Sequence, residues 1–206
     1  MARHGILIVL SGPSGTGKGT ICKELLANYA NLHYSISATT RPSRPGEANG
    51  VNYWFIAPDE FRTMVAQDEL LEWAEVYGNY YGTPRRWVQD MLKSGQDVVL
   101  EIDTQGAMQI KEKFPEGVFI FIVPPSLKEL EDRIVKRGAD SPAVIAKRLG
   151  CVQEELAFAP QYDYVVVNDE VTAATAKIAA IISAEKCRMV RNADLIEAIG
   201  KRGSID

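Results

Sequence analysis

The sequence predicts an α/β fold, a parallel sheet with helices on both faces, on three observations. Apolar runs of strand length at residues 6–10, 97–102, 118–123 and 164–167 alternate with segments of helical periodicity. These runs are almost continuously Val, Ile, Leu and Phe, the composition of strands buried on both faces, as parallel strands are. The first run passes directly into Gly12-Pro13-Ser14-Gly15-Thr16-Gly17-Lys18-Gly19-Thr20 and then into a helix-patterned segment.

Ile21, Leu25 and Leu26 share one face of a helix predicted over residues 20–29, with Lys23 and Glu24 off it. Residues 33–37 predict a short strand. Residues 38–50 hold the prolines, glycines and arginines of a loop, and Asn49-Gly50 signals a turn before the β-prone residues 51–55. Pro58-Asp59-Glu60 opens a helix with Phe61, Met64 and Val65 as its apolar stripe. Residues 70–77 and 80–83 predict strands joined through Gly78-Asn79, after which Pro84 opens a helix and Gly95 closes it. The strand at 97–102 ends in Asp103, followed by a helix and the strand at 118–123. Ser126-Leu127-Lys128-Glu129 is a capping box, and Ser141-Pro142 opens a further helix running toward Pro160. The strand at 164–167 ends at Asn168-Asp169, before a long helix from Val171 to about Val190. The tail from Gly200 to Asp206 is expected to fray. Residues 37–87 break the strand–helix rhythm with several short strands and read as an insertion.

A chain of 206 residues has the length of one domain with inserted subdomains and can bury roughly 70% of its unfolded surface. Its 46% hydrophobic and 24% charged residues are ordinary for a globular protein. A net charge of −4 lacks the basic footprint of a general nucleic-acid binder, but leaves open a small anionic ligand, which feels only local charge. Cys22, Cys151 and Cys187 are far apart and lack metal-ligand spacing, which points to a reducing compartment. The first apolar run is too short for a signal peptide or a membrane span. The expectation is a cytoplasmic protein with no nucleic-acid or membrane partner.

The glycine-rich stretch has the order of a phosphate cradle: strand, turn, helix start. Its glycines let successive N–H groups point into one concavity, and the helix adds its positive dipole end. Lys18 would reach the β- and γ-phosphates of a nucleotide. Gly19 stands where a Ser or Thr hydroxyl usually holds magnesium, so the metal shell must be completed by water and by carboxylates elsewhere. Glu101 and Asp103, two apart at a strand end, are expected on one side, and either can hold Mg2+ through its waters.

Arg41 and Arg44 lie three apart in a proline-stiffened loop, and a guanidinium fork suits phosphate bidentately. Alone such a loop is more often a solvated surface. Glu72-Trp73-Ala74-Glu75-Val76-Tyr77-Gly78-Asn79-Tyr80-Tyr81-Gly82-Thr83 adds the carboxylate, hydroxyls and aromatics that a purine monophosphate pocket needs. Arg133 and Arg137 share a helix face, Leu127, Leu130 and Ile134 form its apolar stripe, and Arg148 lies on the next helix. Basic residues on a surface helix are as often merely solvated.

Together with Glu101-Ile102-Asp103-Thr104-Gln105-Gly106 and Val167-Asn168-Asp169, these stretches resemble the guanylate kinases of the nucleoside monophosphate kinase family, over nearly the whole chain. The resemblance implies a three-layer P-loop kinase fold. Its core would be residues 1–36, 88–124 and 158–206, its GMP-binding subdomain 37–87 and its lid 125–157. It implies ATP as donor with Mg2+ and GMP as acceptor, dGMP being left open, as is the oligomeric state. Arg41, Arg44, Tyr53 and Tyr81 would hold the GMP phosphate, with Glu47 beside them, while Ser37, Glu72, Thr83 and Asp103 would line the guanine. Gly12, Pro13, Ser14, Gly15, Thr16, Gly17, Lys18, Gly19 and Thr20, with Asn168 and Asp169, would bind ATP. Lys18, Arg44, Arg133, Arg137 and Arg148 would stabilise the transferring phosphoryl. Two rivals remain. A kinase of other base specificity is opposed by Glu72 and Thr83, which match guanine's edge. A non-catalytic interaction module would be expected to lack Lys18 or the lid arginines.

Overall fold

The computed structural model describes residues 4–136 and 142–202. In chain order its first half comprises β1 (Leu7–Ser11), α1 (Lys18–Asn28), β2 (Leu32–Tyr34), β3 (Ala38–Thr39), β4 (Trp54–Phe55), α2 (Pro58–Ala66), β5 (Leu70–Val76) and β6 (Asn79–Pro84). There follow α3 (Arg85–Lys93), β7 (Asp97–Glu101), α4 (Thr104–Lys113), β8 (Val118–Val123), α5 (Leu127–Lys136), α6 (Pro142–Leu156), β9 (Tyr164–Val167), α7 (Val171–Lys186) and α8 (Met189–Arg202).

Five strands form one sheet in the order β2-β7-β1-β8-β9, every pair parallel. The alternation of β1 sorts the core into two layers. Ile8 and Leu10 pack with Ile21 and Leu25 of α1 and Ile178 and Ile182 of α7. Leu7 and Val9 point the other way, to Val88 and Leu92 of α3 and Ala107 and Ile110 of α4. Helix, sheet and helix make three layers, and the carboxyl ends of the strands are the usual place of the ligand crevice in such sheets.

A second sheet, β4-β3-β6-β5, is mixed: β3 pairs β4 in parallel, while β3–β6 and β5–β6 are antiparallel. It has its own small core, Ala38, Phe61 and Leu70, against α2. Leu130, Ile134 and Val152 join α5 to α6 in a third cluster. No helix among the described residues is long and apolar enough to cross a membrane.

Several expectations are corrected. Helix α1 begins at Lys18, two residues early, and β2 ends at Tyr34 instead of residue 37. Residues 38–39 are a strand inside the expected loop, and only Trp54 and Phe55 of residues 51–55 are strand, because the intervening residues fold into turns closed by Asn49 and Asn52 side chains. The β5–β6 turn is Tyr77-Gly78, one residue earlier than expected. The long helix breaks at Cys187, where buried Glu185 accepts hydrogen bonds from Arg188 and Arg191 beyond the break and from the Tyr164 hydroxyl. Gly200 belongs to α8, so fraying does not begin there; residues 203–206 lie outside the described residues.

Candidate functional site

Between the two sheets lies a cleft of about 600 Å³. One wall is the turn after β1. Its glycines at 12, 15 and 17 all take positive φ, and at Gly17 (φ 89°) an added Cβ would also collide with Asn168 Nδ2. Gly17 caps α1 without a side-chain hydrogen bond, so the first N–H groups of that helix face the cleft as an anion site. Lys18 Nζ folds over the loop, donating to the carbonyls of Gly12 (2.6 Å) and Pro13 (3.0 Å). Burial lowers its pKa, while the carboxylates of Glu101, Glu155 and Asp103 support its charge.

Asn168, expected at ATP, is buried beneath this loop, where Nδ2 donates to the Thr16 carbonyl at 2.7 Å. It braces the cradle from the end of β9. Asp169 is exposed, and its carboxylate accepts from the Glu170 N–H. Thr16 and Pro13 are buried parts of the turn, and Thr20 is exposed at the cleft.

Glu101 ends β7 with its carboxylate over Gly19: a Cβ there would sit 3.3 Å from Oε2. Asp103 is not on that strand. It is the N-cap of α4, Oδ1 accepting from Gly106 N at 2.9 Å, so strand alternation does not relate the two carboxylates, although both line the cleft. The space over Gly19 is faced by hard carboxylate oxygen, the donor type magnesium takes, so the residues fit that ion.

The second sheet supplies the opposite wall. Arg41 lies over the Tyr53 ring, 5.4 Å from its centroid, and Tyr53 meets Tyr81 edge-on at 5.9 Å. Glu47 does not face the cleft as a free contact. It takes the Arg41 fork bidentately (3.0 and 2.9 Å) and accepts from the Arg44 N–H at 2.7 Å. Partial burial opposes its ionisation, but these contacts hold its carboxyl below the ordinary value. Arg44 is exposed at the rim.

Deeper, Glu72 is 3% exposed on β5 and Thr83 of β6 donates to its Oε1 at 2.6 Å. Gly106 makes room for the other oxygen; a Cβ there would collide with Oε2. Burial pushes the Glu72 carboxyl up to about 7; the Thr83 hydrogen bond opposes this and nearby Asp103 adds to it. Ser37 is also buried and lines the cleft. The site therefore pairs a deep carboxylate, a hydroxyl and a stacked arginine with a glycine turn and a helix N-terminus.

Of the arginines expected on a lid, Arg133 is tied back, donating to Glu129 Oε1 and to the Asn168 carbonyl, both at 3.0 Å. Arg137 and the side chain of Arg148 lie outside the described residues. Half of the capping box forms, Ser126 Oγ accepting from Glu129 N, while the Glu129 carboxylate goes to Arg133. Sequence reasoning missed Tyr34, whose hydroxyl donates to Glu101 Oε2 at 3.5 Å, and Glu155 and Tyr77, which also line the cleft. A strand register for β2 would have aimed Tyr34; nothing in the local pattern singles out Glu155.

The guanylate kinase family model matches residues 4–185. A guanylate kinase of Desulfitobacterium hafniense is 55% identical over 196 residues, covering 95% of this chain and 98% of that one. One from Caldanaerobacter subterraneus subsp. tengcongensis is 58% identical over 193 residues, covering 94% of each. Among solved structures, a guanylate kinase from Anaplasma phagocytophilum superposes with a TM-score of 0.83 at 35% identity, over 100% of this chain and 98% of that one.

Proposed function

The chain belongs to the guanylate kinase family, and we infer that its cleft performs that family's reaction, moving the γ-phosphoryl of ATP to GMP to give ADP and GDP. The observation that carries the acceptor's identity is buried Glu72 with Thr83 at its side. Guanine presents N1–H and the N2 amino group as adjacent donors, so one carboxylate accepts from both. Adenine offers a bare nitrogen there and would leave the carboxylate unpaired.

Ser37 and Asp103 complete the base site. Arg41, Arg44, Tyr53 and Tyr81 hold the acceptor phosphate, which draws Arg41 from Glu47. Glu47 is thus a positioning residue that keeps the fork aimed before GMP arrives. The base and phosphate contacts named here do not involve the 2′-hydroxyl, and dGMP is proposed as a second acceptor. The turn at residues 12–20 holds the ATP phosphates on backbone N–H groups, and Lys18 leaves the Gly12 and Pro13 carbonyls to neutralise charge on the β- and γ-phosphates. Glu101 and Asp103 would hold a magnesium ion through its waters. When bound, that ion neutralises phosphate charge. Arg133, Arg137 and Arg148 supply cationic charge from a lid of residues 125–157, which closes on a core of 1–36, 88–124 and 158–206 against the acceptor subdomain, 37–87. The protein works in the cytoplasm.

The test is a coupled assay of GDP formation. Lys18→Ala should fold normally, since backbone builds the loop, yet lose on the order of 10²-fold or more in turnover, and a chelator should abolish wild-type activity. A folded Lys18→Ala protein with near-normal turnover would sink the assignment.

A further inference from the structure

The β5–β6 hairpin turns on Tyr77 (φ 52°) and Gly78 (φ 80°), with pairing continuing to Val76 and Asn79. Positive φ at both central residues defines a mirror-image turn, whose first position favours Asn, Asp or Gly. Among the described residues, the other non-glycine with positive φ is Asp68, a type that tolerates it. A bulky aromatic does not. The rest of the turn is well made, Asn79 Nδ2 donating to the Tyr77 carbonyl at 3.3 Å. Tyr77 is half-buried and lines the cleft next to Val76. Backbone strain of this kind persists where the side chain is held to a task.

The register says which end of the cleft it serves. Thr83 is bonded to Glu72, Tyr81 lies opposite Ala74, and Asn79 lies opposite Val76. At about 3.4 Å per residue, the tip stands roughly 14 Å beyond Glu72 along the strand. With guanine at Glu72 and phosphate at Tyr81, the tip flanks the phosphate end, where acceptor and donor meet.

We propose that Tyr77 is a positioning residue whose ring walls the phosphate end of the acceptor cleft and keeps water from the transferring phosphoryl; this rests on the placement of GMP given above. The reaction it suppresses is attack of a water oxygen on the γ-phosphorus. That step breaks the bond to the ADP oxygen and releases ADP, inorganic phosphate and a proton. The measurement is the ratio of inorganic phosphate to GDP formed by the purified full chain with ATP, Mg2+ and GMP, an internal ratio independent of the active fraction. Tyr77→Asn should raise it at least fivefold while the melting temperature holds or rises, because Asn suits the turn. Tyr77→Gly repeats the test without the ring should Asn misfold. Tyr77→Phe keeps the ring and should keep the wild-type ratio. A ringless variant with the wild-type ratio overturns the proposal, as does Tyr77→Phe leaking like Tyr77→Asn. A wild-type chain that forms no GDP overturns the acceptor assignment and this proposal with it, and is recognised by the parent alone.

Discussion

A carboxylate as buried as Glu72 destabilises an empty site. Its carboxyl is pushed up to about 7 by burial, against an ordinary value of 4.5. The folded state therefore binds this proton more tightly than the unfolded chain. Below 4.5 both states are protonated and nothing is lost; stability falls as pH rises from 4.5 to 7, and the full loss persists above. At 1.36 kcal/mol per unit, that loss is about 3 kcal/mol. Glu72→Gln should accordingly raise the melting temperature at pH 8 and give little gain at pH 4.5, as thermal melts across that range would show. An equal gain at both values would mean that the carboxylate's charge is not what strains the fold. On the proposed placement of guanine at Glu72, its donors reverse the penalty, which suits a polar group here to a binding site better than to a core. Residue type offered only a carboxylate, hydroxyls and aromatics in this stretch; Glu72 and Thr83 were singled out by the family resemblance, and the structure buries the two together. Glu47 was named there too, but its pairing with Arg41 was not legible, because the two lie six residues apart in a loop without periodicity.

At the scale of elements, the cradle depends on a strand at the far side of β8. Asn168 at the end of β9 reaches under the loop to the Thr16 carbonyl. Asn168→Ala leaves that buried carbonyl without its donor, which costs about 1 to 3 kcal/mol. It should raise the KM for ATP severalfold with little change in the KM for GMP, as initial rates with each substrate varied would show; equal changes in both would remove Asn168 from the donor side. This brace was invisible in the sequence because its partners are 152 residues apart. What local pattern could reveal was revealed: β8 is a continuous apolar run, and α1 carries Ile21 and Leu25 on one face. The two-residue strand β3 gave no signal, being too short to alternate and set in a Pro- and Gly-rich stretch, whereas β4 falls within the β-prone residues 51–55. Asp103 misled for a related reason. A carboxylate after a buried strand can continue the strand or cap the next helix, and the Gly106 N–H decides for the cap.

The whole molecule sets two polar walls facing each other across one cleft, each backed by its own apolar cluster. The parallel core presents the glycine turn at the carboxyl end of β1, while the small mixed sheet presents Glu72 and Tyr81 and the loop after β3 presents Arg41. The central claim is that this second wall reads guanine through one carboxylate. It is tested by the ratio of kcat/KM for GMP to that for AMP, measured in the wild type and in Glu72→Gln. Sites built around a specific hydrogen-bonding group reject analogues lacking it by roughly 10⁴-fold or more. The wild type should therefore prefer GMP on that order, and Glu72→Gln should erode the preference by at least tenfold while Arg41 and Arg44 still hold either phosphate. A ratio unchanged by Glu72→Gln would contradict the account.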